Sequence, residues 1–189
     1  MVARKIFKDL DLSKADLDLI DSRLEKVSYR KGDIILKVGE EVPYQYYVED
    51  GCLRTFFQDK KGKGHTLQFA VNDWWISDYT AFINSRKAIM NIECIQDATV
   101  YRMTYQQLES IYRDVPQVES FFRRKLERAF ASFQNRILST MADSAQERYL
   151  LFLKAYPEVD RSVKNYHIAS YLGIATETLS RIRKRLAKE

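Results

Sequence analysis

Glu177 and Arg181 stand four residues apart in the segment TETLSRIRKRL, close to the end of a 189-residue chain. On a helix that spacing places both side chains on one face, about a turn apart. A guanidinium presents a planar fork of donors that matches guanine O6 and N7, and a carboxylate accepts from the N4 amino group of cytosine. A carboxylate facing a polyanion is repelled by it, so a specific base contact is one reason for Glu177 to lie there. The local alternative is a surface ion pair, since an acidic residue four positions before a basic one stabilises a helix by roughly 0.2–0.5 kcal/mol. The two readings are compatible.

Such side chains act only if something holds their helix, and the wider stretch KNYHIASYLGIATETLSRIRKRL supplies it. Two short helices that share a tight turn need a small residue where they touch and a glycine where the chain takes positive φ. Ala169 and Gly173 fall at those places, and Ile168, Leu172, Ile174, Leu179 and Ile182 occupy the inward positions. These seven residues in order predict a helix-turn-helix. Its second helix starts near Thr176 and leaves Thr176, Glu177, Ser180, Arg181 and Lys184 outward. In such motifs the N-terminal part of the second helix enters the major groove. Thr176, Glu177, Ser180 and Arg181 are therefore the candidates for reading bases. Lys164, Arg183, Lys184, Arg185 and Lys188 are candidates for phosphates, together with amides at the start of the first helix. Each of these cations taken singly also fits a merely solvated surface.

The charge distribution points the same way. Residues 161–189 carry seven Lys/Arg against Glu177 and Glu189, an excess of five that equals the net charge of the whole chain. The first 160 residues therefore balance, which is the asymmetry of a polyanion-binding module on a neutral body.

Other chemistries find little support. The chain is 46% apolar and 13% aromatic, enough for a packed core. No run of 18 apolar residues is present, and MVARKIFKDLDLSKADLDL lacks the unbroken apolar stretch of a signal peptide, so a cytoplasmic protein without membrane contact is expected. Cys52 and Cys94, far apart in strand-like contexts, read as buried thiols rather than as a disulfide. With His65 and His167 the only histidines, no metal centre is expected.

Upstream, Ser13 is a plausible cap for a helix KADLDLIDSRL, and about seven β-rich runs between Val27 and Met103 predict an antiparallel roll or barrel. Helical spacing resumes at 105–112. A long helix over about 117–141 follows, with Val118, Phe122, Leu126, Ala129, Phe133, Ile137 and Met141 at three- or four-residue steps. It is longer than a small roll can cover, so the first six of those residues are expected to form a homodimer seam. A further helix, AQERYLLFLKAY, ends at Pro157. The expected division is a roll over 1–116, a dimerisation helix and hinge over 117–142, and a DNA-binding domain over 143–189. The fold class is α+β, with flanking helices around the roll. No residues follow the second motif helix to build a β-hairpin wing, so phosphate grip is expected from helices and the basic end.

A β-roll, a long helix and a motif reading IASYLGIATETLSRIRKRL resemble the Crp/Fnr family of bacterial transcription regulators over nearly the whole chain. Glu177 and Arg181 match that family's base-reading Glu and Arg, Thr176 stands where an Arg is frequent, and YQYYVEDGCLRTFF looks like its strand–Gly–strand hairpin. The resemblance implies a homodimer on a two-fold symmetric double-stranded operator, half-sites about one helical turn apart, with RNA polymerase as a partner. Members that bind cyclic nucleotides carry Gly-Glu and then Arg-Ser or Arg-Thr around the phosphate. Here Ile76-Ser77 and Ala88-Ile89 fall at those places, and Arg86 and Lys87 are out of register. Cyclic AMP is therefore not expected, no cofactor is assigned, and Trp74, Trp75 and Tyr79 either line an altered pocket or fill the core. The alternatives are a regulator with another small effector in the roll and, more remotely, a cupin-like enzyme, for which His65 alone is too little.

Overall fold

Why the roll closes can be read along its strands. In the computed structural model, which describes residues 1–187, burial alternates along β7 (Asn91–Cys94) and the first four residues of β8 (Ala98–Thr104), the period-two signature of a sheet with one face inward. Two four-stranded antiparallel sheets result. One has the order β1-β8-β3-β6, with β1 Glu25–Tyr29, β3 Tyr44–Asp50 and β6 Trp75–Ile76. The other has the order β2-β7-β4-β5, with β2 Ile34–Leu36, β4 Leu53–Gln58 and β5 Gly64–Ala70. Leu36, Val48, Leu53, Ile76, Ile92, Cys94 and Val100 fill the space between them. Cys52 and Cys94 are buried and unlinked, and burial pushes both thiols up to about 12.

The segment YQYYVEDGCLRTFF is a corner rather than a hairpin, because β3 and β4 belong to different sheets. Gly51 makes the corner with φ 97°, and a Cβ there would lie 2.3 Å from the Asp97 carbonyl oxygen. No other residue fits. The paired hairpin is β4–β5, closed by KKGKG, where Asp59 accepts from the Lys61 and Lys63 amides.

Helices α1 (Val2–Ile6) and α2 (Lys14–Asp21) cover one side of the roll, the latter started by a Ser13–Asp16 capping box. Helix α3 (Tyr79–Asn84) interrupts the strands, and α4 (Tyr105–Asp114) begins at a Thr104–Gln107 capping box. Pro116 then opens α5 (Pro116–Ala142), 27 residues and about 40 Å long. Its first turns belong to the roll. Val118 and Phe122 are 0% and 6% exposed among Phe7, Phe121 and Leu108, and Trp75 packs edge-on against Phe122 at 5.0 Å. Neither residue is free to form a seam, which corrects that expectation; the apolar stripe passes from buried to exposed partway along the helix. Trp75 fills core, and Trp74 reaches Tyr156 at 5.4 Å.

After Asp143, Ser144 caps α6 (Ala145–Ala155) in a box with Glu147, and α7 (Pro157–Ser162), α8 (Asn165–Leu172) and α9 (Thr176–Leu186) follow. Sequence periodicity did not reveal α1, α3 or α7, each six residues or fewer. The C-terminal helices share a core with the roll: Cys52, Phe69 and Ile95 pack with Phe152, Tyr156, Ile168 and Leu179. Ser170 Oγ accepts from the Thr66 amide and donates to the Gly64 carbonyl, both at 2.8 Å. Arg136 donates to the Leu67 carbonyl and lies over the Tyr171 ring. These contacts fall on β5, an edge strand whose outward polar groups would otherwise need water.

Candidate nucleic-acid interface

Ile168, Ala169, Leu172, Leu179 and Ile182 are each 7% exposed or less, with Ile174 half-buried beside them. Gly173 ends α8 with φ 68°, its amide donating to the Ser170 carbonyl and the Ile174 amide to Ala169. That pair of bonds is a Schellman closure, which requires the left-handed residue. It turns the chain into α9 after two residues, so the second helix leaves at a fixed angle. Neither α8 nor α9 has a side-chain cap at its start, so their first amides remain available to an outside acceptor.

Leu179 and Ile182 face inward, leaving Glu177, Ser180, Arg181 and Lys184 exposed on the opposite face and Thr176 half-exposed at its edge. Arg181 donates to Thr178 Oγ1 at 3.3 Å rather than to Glu177. The i,i+4 ion pair is thus not what this helix forms, and both groups are open to a ligand. Lys164 is exposed at the α8 N-cap; Arg185 is exposed and touches Gln146 Oε1 at 3.2 Å. Lys188 lies outside the described residues.

Arg183 is different, and corrects its expected role at a phosphate. Its Nε donates to the Tyr149 hydroxyl at 3.0 Å, one terminal nitrogen to Asn165 Oδ1 at 2.5 Å, and the other to the Asp160 carboxylate. Tyr149 in turn donates to Asp160 at 3.0 Å. One guanidinium therefore joins α9 to α6, α7 and α8. Its position next to the inward stripe of α9 was the available signal; its charge suggested the surface instead.

The distal part of α5 carries a second exposed feature. Leu126, Phe130, Phe133, Ile137 and Met141 are 49%, 65%, 37%, 56% and 80% exposed along one face. Ala129 is exposed beside them. Phe130, absent from the expected set, brings the steps 126–130–133–137 to four, three and four, the alternation of a coiled-coil seam. The stripe is a candidate interaction surface.

The architecture is thus a β-roll joined by a long helix to a helix-turn-helix with one exposed face. Residues 26–114 match the cyclic nucleotide-binding domain family. The chain is 22% identical over 188 residues to the transcriptional activator protein Anr of Pseudomonas protegens, covering 93% of this chain and 76% of that one. Its fold resembles FixK2 from Bradyrhizobium japonicum (TM-score 0.75, 22% identity, 87% and 85% of the two chains). It also resembles a Crp/Fnr-family transcriptional regulator from Eubacterium rectale (TM-score 0.72, 20% identity, 99% and 88%). In sequence and in fold, then, the proteins this chain is similar to are transcription regulators, among them members of the Crp/Fnr family.

Proposed function

We propose that the protein acts as a cytoplasmic homodimer that binds a two-fold symmetric operator and works with RNA polymerase. The observation that carries this reading is the α9 face, where Glu177, Ser180, Arg181 and Lys184 stand exposed on a helix whose other side is buried. Arg181 is assigned to a guanine, Glu177 to a cytosine, and Thr176 and Ser180 to neighbouring edges. Lys164, Lys184 and Arg185, with the uncapped amides of α8, are assigned to phosphates. Two copies would pair through Leu126, Phe130, Phe133 and Ile137, placing one α9 in each half-site.

Binding to a selected site tests the assignment. Arg181→Ala should weaken binding about 5- to 150-fold, the equivalent of roughly 1–3 kcal/mol, and relax preference at one base pair of each half-site. Glu177→Ala should relax a different position. Unchanged affinity and preference in both variants would remove α9 as the reading helix.

A further inference from the structure

Asp78 lies between β6 and α3, and it is 0% exposed. Its Oδ2 accepts from the amides of Ile89 at 2.7 Å and Met90 at 3.0 Å, and its Oδ1 from Ala81 at 3.3 Å. Three backbone donors thus converge on one carboxylate. Among the described residues no Lys or Arg pairs with it: Arg86 is exposed, and Lys87 is paired with Glu41 at 2.6 Å on the surface. The donor loop is itself fixed, because the Ala88 amide donates to the Glu40 carbonyl and the Gly39 amide to Ala88, both at 2.8 Å.

Convergent backbone amides are a ready seat for an anion. The family matched over 26–114 is named for a ligand that carries such an anion, a cyclic phosphate. The fit fails here. Ile89 stands at the second position of the place where a phosphate-neutralising Arg-Ser would fall and Met90 follows it, and both amides are already bonded to a buried carboxylate of the same chain. A phosphate brought beside Asp78 would meet a second negative charge, itself withdrawn from water, with no cation between them.

We propose that Asp78 is a built-in anion that permanently occupies the amide seat of the roll. The roll then takes no cyclic nucleotide, and the bond that an anionic effector would make between α3 and the 85–90 loop is made by the chain itself. This extends the regulator reading above by making DNA binding independent of such an effector. It also makes Asp78 the residue that closes the site: without its carboxylate, the amides of Ile89 and Met90 become a receptor for a small carboxylate or phosphate.

Thermal unfolding of the 189-residue protein and of Asp78→Ala tests this without DNA, so its outcome is separate from the α9 assignment. Each protein is heated with cyclic AMP, cyclic GMP, sodium formate, sodium phosphate and sodium chloride, the salts at equal ionic strength. The parent protein should show no shift with either cyclic nucleotide and no difference among the salts. Asp78→Ala should melt lower and recover with formate or phosphate but not with chloride. A cyclic-nucleotide shift in the parent, or a variant that responds equally to every salt, would overturn the proposal. Should Asp78→Ala not fold in chloride, its refolding yield is compared across the same salts. A formate- or phosphate-specific gain supports the proposal, and equal yields overturn it.

Discussion

Two side chains near the recognition helix carry charge logic that their positions alone would not suggest. Arg183 bonds three neighbouring helices, so it orients α9 instead of gripping DNA. Arg183→Ala should destabilise the protein by roughly 1.5–3 kcal/mol, the scale of hydrogen bonds to a charged group. Its DNA affinity should fall while the dependence of log K on log salt stays parallel to the parent's. Lys184→Ala, by contrast, should flatten that slope by about 0.9, as a lost phosphate contact does. A flattened slope for Arg183→Ala would return it to the phosphate set. His167, 4% exposed, is pushed down to about 3 by burial, and by the charges of Arg54 and Lys164. The unfolded chain takes up this proton near 6.5, so the stability from neutral His167 is complete above pH 6.5 and is lost as pH falls toward 3. His167→Met removes that titration. Its Tm relative to the parent should therefore rise as pH is lowered from 7 to 4.5, as thermal unfolding across that range would reveal, and a constant difference would contradict the assignment.

At the scale of elements, α5 has two environments. Its first turns are buried by the roll, and its distal half presents Leu126, Phe130, Phe133 and Ile137 to solvent. Phe130→Glu should shift sedimentation velocity from dimer to monomer and lower operator affinity, while leaving the roll folded. A dimer that persists would place the seam elsewhere. Sequence periodicity located this helix to within a residue at each end, because Pro116 starts it and its stripe is regular. It could not say what the stripe touches, since Val118 and Phe122 have the same spacing as Leu126 and Phe133. The step through Ala129 also drew attention from Phe130. The helix-turn-helix was legible because its constraints are local: Ala169, Gly173 and the inward aliphatics lie within fifteen residues. Asp78 was not, since its donors lie three, eleven and twelve residues away and are backbone groups that any sequence would supply. Arg183 was misread because exposed cations outnumber buried ones, and its acceptors sit on three other helices.

In the whole molecule, the C-terminal helices are bonded to the roll along β5, with Ser170 and Arg136 making the polar contacts and Phe69, Tyr156 and Tyr171 the aromatic ones. The orientation of α9 is therefore set by the roll as well as by the long helix. In a dimer paired through α5, two such helices project with a fixed spacing, and the DNA they fit must repeat it. Selection of bound DNA from a random pool, by the parent and by Arg181→Ala, reads this most directly. The parent should enrich an inverted repeat with half-site centres about 10 base pairs apart or a multiple of that, and it should do so with no added nucleotide. The variant should keep the spacing and lose one base preference in each half. An unsymmetric site, or a variant that enriches the same sequence as the parent, would contradict the account.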